Sequence, residues 1–492
     1  MAAERRGDGG LRRPPRQANN PLAALAFITA FPAVLLFGAW RFADSRDDSA
    51  PPAPDAEAVL PAVTPRTPLL SARRTPAVLA RETSAAAFEE ALRPLGGAVL
   101  PGSCAGVAVD GVTALSDGID TPVTPASTMK FIVAAVALEV LGADHTYTTE
   151  VRAEIAADGS IGSLYLVGGG DPLLASDWYP DDATYNRFPQ QPATSLDALA
   201  DAVKAAGVVQ VSGNVVADLT RYDSEYYPPT WEIALRNVEG GPISSLTVND
   251  GWVRGDSGKV TDPGAGAARE FYRLLAERGI VIGGQPATGA TPTGLATLAT
   301  VSSAPLVDVV AEMLQNSDNN TAEMMLKEIG FVARGSGSRA SGLAVVNEKL
   351  TAWGVPMTGV VLDDGSGLSR NNKVTCEAFL AVLDRFDIGD PVVSTLAVAG
   401  RSGTLAQYFV GTPVEGRLFG KTGSLNGVKA LIGYVEAPGG STITFALLLQ
   451  SPGVDEASSF RPVWEGPLAS ALGSYPAGPT ADLVAPLTAT PS

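Results

Sequence analysis

Hydrophobic positions along the chain change character several times. Residues 22–40 are almost all apolar and, as a helix, are long enough to cross a hydrocarbon core of about 30 Å. Residues 44–81 mix Pro, Ala and scattered charge without an apolar period, the pattern of an extended linker. Regular structure is expected from Ser84, an N-cap for a short helix through Phe88 and Leu92, followed by a strand over residues 105–109 that turns at Asp110-Gly111. A helix-forming run, residues 127–141, follows Pro122 and Pro125 and stops at Gly142. Residues 164–167 read as a strand entering Gly168-Gly169-Gly170-Asp171-Pro172, and residues 208–216 alternate as one strand would. Helical periods return at 306–314 and 321–328. Two apolar runs, 430–435 and 442–449, flank a Pro-Gly-Gly turn and predict a half-buried antiparallel hairpin. Beyond Pro476 the composition predicts a disordered tail, and no repeat of solenoid or propeller period is present.

Composition narrows the function classes. The chain has 492 residues, 45% of them hydrophobic, which is material for two or three domains and a large core. The net charge of −17 is spread along the chain, so no nucleic-acid partner is expected. Basic residues gather only at Arg5, Arg6, Arg12, Arg13 and Arg16, ahead of the apolar run; this places the amino terminus in the cytoplasm and the rest outside. The expected organisation is a basic segment (1–20), a transmembrane anchor (21–42), a Pro/Ala-rich linker (43–83), a catalytic domain (84–145 and 300–475), an inserted domain (146–299) and the tail (476–492). A cleaved signal peptide is the alternative to a cell-membrane anchor, disfavoured by the bulky residues at 37–43 where a cleavage site wants small ones. Cys104 and Cys376, in an exported chain, form either one disulfide or two buried thiols.

The single histidine, His145, lies in a polar, turn-like stretch and reads as a solvent-exposed surface residue, so a Ser-His-Asp mechanism lacks a base. Two cysteines and no Cys-x-x-Cys remove the usual structural zinc sites, and nothing in the sequence requires a metal or an organic cofactor. A hydrolase built from this sequence needs another base, and a lysine whose pKa is depressed can serve. Of eight lysines, Lys130 follows Ser127 by three residues, one helical turn away on the same face, so its amine can take the hydroxyl proton as the oxygen attacks a carbonyl. The start of a helix adds N–H groups and a positive dipole end for a developing oxyanion. Ser317-Asp318-Asn319 sits on a short connection between two helical runs, where Ser317 can relay a proton and Asn319 can bind a substrate amide. Lys421-Thr422-Gly423-Ser424 leads into the hairpin, with a charge and hydroxyls for a carboxylate and a glycine that lets substrate backbone approach the strand edge. Each tripeptide alone is an ordinary cap, turn or strand start.

Their order, Ser-x-x-Lys, Ser-x-Asn, Lys-Thr-Gly on helix, loop and strand, is the signature of penicillin-binding proteins and serine β-lactamases. Pro125-Ala126-Ser127-Thr128-Met129-Lys130, Ser317-Asp318-Asn319-Asn320-Thr321-Ala322-Glu323, Asp364-Gly365-Ser366-Gly367-Leu368-Ser369-Arg370 and Lys421-Thr422-Gly423-Ser424-Leu425 resemble the low-molecular-mass class C penicillin-binding proteins, the D-alanyl-D-alanine carboxypeptidase/endopeptidase family. Gly169-Gly170-Asp171-Pro172 and Gly400-Arg401-Ser402-Gly403-Thr404-Leu405 extend the resemblance over roughly 84–450. It implies an α+β fold, an antiparallel sheet flanked by helices and interrupted by an inserted α/β domain. About 190 residues separate Ser127 from Ser317, whereas a β-lactamase needs far fewer. A second family insertion is expected to be missing, because Asn249 and Asp262 are only 13 positions apart.

The resemblance further implies Ser127 as nucleophile, Lys130 as base, Ser317 and Asn319 as proton relay and positioning group, Lys421 with Thr422 as carboxylate clamp, and the N–H groups of Ser127 and Ser424 as oxyanion hole. Its partners would be peptidoglycan stem peptides, with β-lactam antibiotics as covalent inhibitors. The Asp-Gly-Ser-Gly run is read as a tight structural turn near the site. Carboxypeptidase and endopeptidase action remain open, and the rival readings are a β-lactamase or esterase on the same fold or a non-catalytic wall-binding protein.

Overall fold

A computed structural model describes Arg41 and residues 75–179, 192–481 and 483. The expected basic segment, most of the anchor, the linker as far as residue 74 and the end of the tail lie outside the described residues. Among the described residues no helix is long and apolar enough to cross a membrane.

Along the chain, α1 (Thr75–Gly96) precedes β1 (Cys104–Val109), β2 (Val112–Asp117) and, after a 3₁₀ turn at Ala126–Thr128, α2 (Met129–Leu141). Then come β3 (Thr148–Arg152), β4 (Leu164–Val167), α3 (Leu196–Ala205), β5 (Val215–Asp218), α4 (Pro263–Glu277), β6 (Pro286–Thr288) and β7 (Thr297–Ser302). The remainder supplies α5 (Leu306–Asn316), α6 (Asn319–Arg334), α7 (Arg339–Ala352), α8 (Cys376–Leu383), β8 (Ala397–Val398), β9 (Leu418–Leu425), β10 (Val428–Glu436) and β11 (Thr442–Gln450).

The main sheet runs β8-β9-β10-β11-β1-β2, and every neighbouring pair is antiparallel. Its central hairpin is buried on both faces, not one, since β10 and β11 are buried almost end to end. The two-residue strand period explains the division of labour. Ala430, Ile432, Tyr434, Ala446 and Leu448 pack towards α2, α5, α6 and α8, while Leu431, Val435, Phe445, Leu447 and Leu449 pack towards α1 and the carboxy-terminal helical segment at Phe460, Trp464 and Leu468. A sheet covered on both sides needs apolar residues at both parities, so the continuous run that suggested one wet face belongs to a central layer. Helix α2 sits deep in this layer, buried without a break from Met129 to Ala137.

A second sheet, β6-β5-β4-β3-β7, draws all of its strands from residues 148–302. It is mixed: β5 pairs in parallel with β4 and β6, while β3 pairs antiparallel with β4 and β7. Apolar residues of α3 and α4, such as Leu199, Val203, Phe271 and Leu275, close its core. The stretch expected as one strand at 208–216 is two. Gln210–Val211 joins a separate three-stranded sheet and Val215–Asp218 is β5; between them Gly213 approaches Ser163 so closely that an added Cβ would lie 2.5 Å from its Oγ.

Three further expectations are corrected. Ser84 lies inside α1, which starts nine residues earlier at Thr75, with Pro76 in the first turn where a missing N–H costs nothing. Phe88, Leu92 and Leu95, spaced to share one helix face, bury it against the sheet. At the far end, Tyr475 and Ala477 pack on the same cluster and Gly478 lies against Ser84, so the body extends beyond residue 475. His145 is half-buried, its ring edge-on to Tyr147 and its Nε2 3.7 Å from Glu328 Oε1. The cysteine alternative is decided: Cys104 of β1 and Cys376 of α8 are joined in a disulfide across a Cα–Cα distance of 5.9 Å.

Candidate active site

The first turn before α2 is set by an unusual backbone. Ala126 has a φ of 49°, a conformation that a residue with a Cβ adopts only when its surroundings hold it there. The neighbour that does so is Gly367, whose φ is 87° and whose absent Cβ would lie 1.9 Å from the Ala126 carbonyl oxygen. Ser127 is thereby presented at the mouth of a cleft while Lys130, three residues on, points inward and is fully buried.

The Lys130 amine donates to Ser127 Oγ at 3.0 Å, to Asn319 Oδ1 at 2.6 Å and to the Ser366 carbonyl at 2.7 Å. Burial lowers its pKa to about 8, against the upward pull of Asp364, Asp318, Glu323 and Glu239. Desolvation wins, so a useful fraction of amine is unprotonated near neutral pH.

Asn319 is held at both ends of its amide, because its Nδ2 donates to the Glu239 carbonyl at 2.6 Å. Ser317 caps α5 in the left-handed region at a φ of 63°, which turns the chain between α5 and α6 and aims its hydroxyl into the cleft. The Lys421 amine donates to Ser317 Oγ at 2.9 Å and to the Thr422 carbonyl at 2.9 Å. It is fully enclosed, and burial together with the charges of Lys130 and Lys429 drives its pKa well below the ordinary lysine value. Thr422 Oγ1 lies 3.0 Å from Thr404 Oγ1. On β9, Gly423 passes so close to the nucleophile turn that a Cβ would fall 2.7 Å from the Pro125 carbonyl, and this brings Ser424 to the cleft beside Ser127.

All eight residues expected from the sequence therefore converge. Ser127, Ser317, Asn319, Thr422 and Ser424 line one cleft of about 940 Å³, with Lys130 and Lys421 behind its wall and Gly423 against the serine turn. His145 is not among the cleft residues. Among the described residues no cluster of His, Cys, Asp and Glu suited to a metal ion is present.

The supporting acids, Glu323 and Asp364, lie in the segments that carry the family resemblance, but no role is read for them there. Asp364 is fully buried and accepts from Trp231 Nε1 (2.8 Å), Gly367 N (2.8 Å), Ser369 N (2.6 Å) and Asn372 Nδ2 (2.6 Å). Glu323 Oε1 accepts from Gly365 N at 3.0 Å and Ser366 N at 2.7 Å; burial and Asp364 raise the Glu323 pKa to about 7. Together they clamp the loop whose Ser366 carbonyl receives the Lys130 amine, so the tight turn expected at Asp-Gly-Ser-Gly touches the base directly. Asn249 is likewise structural: buried, it accepts from Ser176 N at 2.8 Å and lies in a 3₁₀ turn, while Asp262 caps α4.

This packing makes Gly367 a sensitive position. Gly367→Ala is expected to displace the Ala126–Ser127 turn and slow acylation of the serine by about 100-fold or more while the far-ultraviolet dichroism is retained, because small displacements of a positioned nucleophile are costly. Rates within threefold of wild type would show that the turn tolerates the shift.

The pattern of the D-Ala-D-Ala carboxypeptidase 3 (S13) family matches residues 95–257 and 254–461. A D-alanyl-D-alanine carboxypeptidase of Actinomadura sp. (strain R39) is 33% identical over 401 residues, covering 64% of this chain and 71% of the relative. The carboxypeptidase DacB of Mycolicibacterium smegmatis is 29% identical over 451 residues, covering 88% and 92%. Among solved structures, penicillin binding protein 4 of Haemophilus influenzae superposes with a TM-score of 0.66 at 21% identity, covering 78% of this chain and 98% of that one, a likeness of fold.

Proposed function

The chain belongs to the D-Ala-D-Ala carboxypeptidase 3 (S13) family of serine hydrolases, the low-molecular-mass class C penicillin-binding proteins, and from that premise we propose how its own residues carry the reaction. Ser127 Oγ attacks the carbonyl of the penultimate D-alanine of a peptidoglycan stem peptide, and the unprotonated Lys130 amine takes the hydroxyl proton. The backbone N–H groups of Ser127 and Ser424 receive the oxyanion. The peptide C–N bond breaks as the Ser317 hydroxyl, held by Lys421, passes its proton to the leaving nitrogen and D-alanine departs; the proton that Lys130 took from Ser127 replaces the one Ser317 gave up, which returns Lys130 to its free amine. Water, deprotonated by Lys130, then cleaves the Ser127 ester and the proton returns to Oγ. Asn319 positions the substrate amide, while Thr422, beside the enclosed Lys421 that holds Ser317, faces the terminal carboxylate. A β-lactam, whose amide occupies the place of the scissile bond, acylates the same oxygen.

One observation carries this reading: the Lys130 amine lies 3.0 Å from Ser127 Oγ, and the Ser317–Lys421 pair is joined at 2.9 Å at the same cleft. The test is release of free D-alanine from an N-acylated peptide ending in D-Ala-D-Ala. Release with a free carboxy terminus required is the expected result, and a peptide left intact by protein that binds it would contradict the proposal.

We also propose that residues 146–299 form an inserted domain and that residues 21–42 anchor the protein in the cell membrane with its body outside. The basic residues ahead of the apolar run and the disulfide, a bond that persists outside the reducing cytosol, support export. Removal of residues 1–42 is expected to shift the protein from the membrane fraction to the soluble fraction of a bacterial lysate. Equal membrane association with and without that segment would refute the anchor.

A further inference from the structure

The reaction above leaves two lysines of the cleft lining without a role, Lys259 and Lys429, and of these Lys429 is the one that reaches a residue beside the nucleophile. Lys429 lies on β10 directly across from Ser424 of β9, and its amine reaches Ser424 Oγ at 3.4 Å. It lines the cleft, yet only 8% of its surface is exposed. The amine lies 3.9 Å from the centre of the Phe460 ring and 5.2 Å from that of Trp464, so its hydrocarbon stem and its charge are both held by aromatic faces. No carboxylate stands within 4.0 Å of it among the described residues. Asp455, whose charge acts on it, has its Oδ1 engaged by Gly427 N at 2.7 Å. Burial lowers the Lys429 pKa to about 8, with Asp455 pulling the other way, which leaves most of the amines charged at pH 7.

A buried cation with a weak hydroxyl partner and no counter-ion, opening on a reaction cleft, is incomplete until an anion arrives. The substrate brings one, the carboxylate of its terminal D-alanine. Lys421, expected to clamp that group, is fully enclosed and already donates to Ser317 Oγ and to the Thr422 carbonyl. Lys429 stands on β10 opposite Ser424, farther along the cleft than Lys421, with donors to spare.

Resting on the serine acyl-enzyme reading above, we propose that Lys429, through and beside the Ser424 hydroxyl, binds the terminal carboxylate of the substrate and so determines the preference for peptides and β-lactams that carry a free carboxylate. Ser424 then has two tasks: its N–H faces the oxyanion and its side chain bridges the carboxylate to the lysine. Nothing at this position of the sequence announced the role, but a lone lysine inside the apolar run Val428-Lys429-Ala430-Leu431-Ile432 was the available signal.

The test compares acylation rates of the full chain by penicillin and by its methyl ester, read as gain of intact mass, in wild type, Lys429→Met and Lys429→Arg. Methionine keeps the volume and the aromatic packing but removes the charge, and the ester reports whether Ser127 and Lys130 still work. Lys429→Met is expected to lower the acid-over-ester rate ratio about ten- to hundredfold, the worth of a charge-assisted contact, with the ester rate kept within about threefold. Lys429→Arg should keep the ratio. Equal losses for acid and ester in both variants would assign Lys429 to packing alone and overturn the proposal. Wild type unlabelled by either compound would instead overturn the acyl-enzyme reading on which it rests.

Discussion

Replacement of Ser127 by alanine is expected to abolish release of D-alanine and covalent labelling by penicillin, a loss of about 10⁴-fold or more with the fold intact. The structure makes the loss specific. Ser127 Oγ is the oxygen that the buried Lys130 amine addresses, while the cleft hydroxyls of Ser317 and Ser424 are paired with Lys421 and Lys429. Removing Oγ leaves the two amines and the strand in place, so substrate still binds while no ester can form. Stability should change little, because Ser127 lies at the cleft surface and the buried packing of Ala126 and Met129 on either side is untouched. D-alanine release and intact mass measure the two losses separately. Residual acylation in Ser127→Ala would mean that another oxygen is the nucleophile.

The second large effect concerns the base. Lys130→Arg should lower acylation by about 10³-fold or more, since a guanidinium holds its proton at every working pH and its planar fork does not fit three divergent acceptors. In the wild type, the base works when unprotonated, and burial has lowered the Lys130 pKa to about 8. Acylation by the penicillin methyl ester, which does not call on the charge of Lys429, should therefore rise with pH up to about 8 and level off above it. The direction follows from the base role: protonation below that pH removes the lone pair that accepts the serine proton. A rate that falls from pH 6 to pH 8 would point to a protonated Lys130 acting as an acid. The plateau should be absent in Lys130→Arg, a readout that general disruption of packing would not mimic.

The sequence made the three catalytic segments legible because each consists of local chemistry: a serine and a lysine one helical turn apart, a polar tripeptide between two helices, a strand beginning in Lys-Thr-Gly. Their assembly depends on contacts that no local pattern contains. Asp364 and Glu323 are 41 positions apart, and their joint grip on the N–H groups of Gly365, Ser366 and Gly367 exists only after α6 and the following loop have packed together. Lys429 escaped notice because its meaning depends on the β9–β10 register that sets it opposite Ser424. Element types were legible wherever a strong period ran unbroken, as in α2. They failed at Ser84, where a proline in the first turn and few apolar residues disguised the start of α1, and at residues 208–216, where a glycine splits one alternation between two sheets. The hairpin of β10 and β11 was placed correctly but given one wet face, because periodicity alone does not tell how many layers cover a sheet.

Two non-glycine residues in left-handed backbone, Ala126 and Ser317, flank the chemistry from opposite sides of the cleft. Both are held by surrounding structure, Ala126 by Gly367 and Ser317 by its place between α5 and α6, so the local cost is met by the packing of the main domain. The disulfide ties β1 to α8 within the same layer that buries α2, which fixes the platform from which the base projects.

The most direct measurement is peptide mapping of the wild-type chain after reaction with penicillin. The account predicts a single stoichiometric adduct on the fragment that contains Ser127 and ends at Lys130, formed faster at pH 8 than at pH 6. An adduct on the fragment containing Ser317 or Ser424, or no adduct from a folded protein, would contradict it.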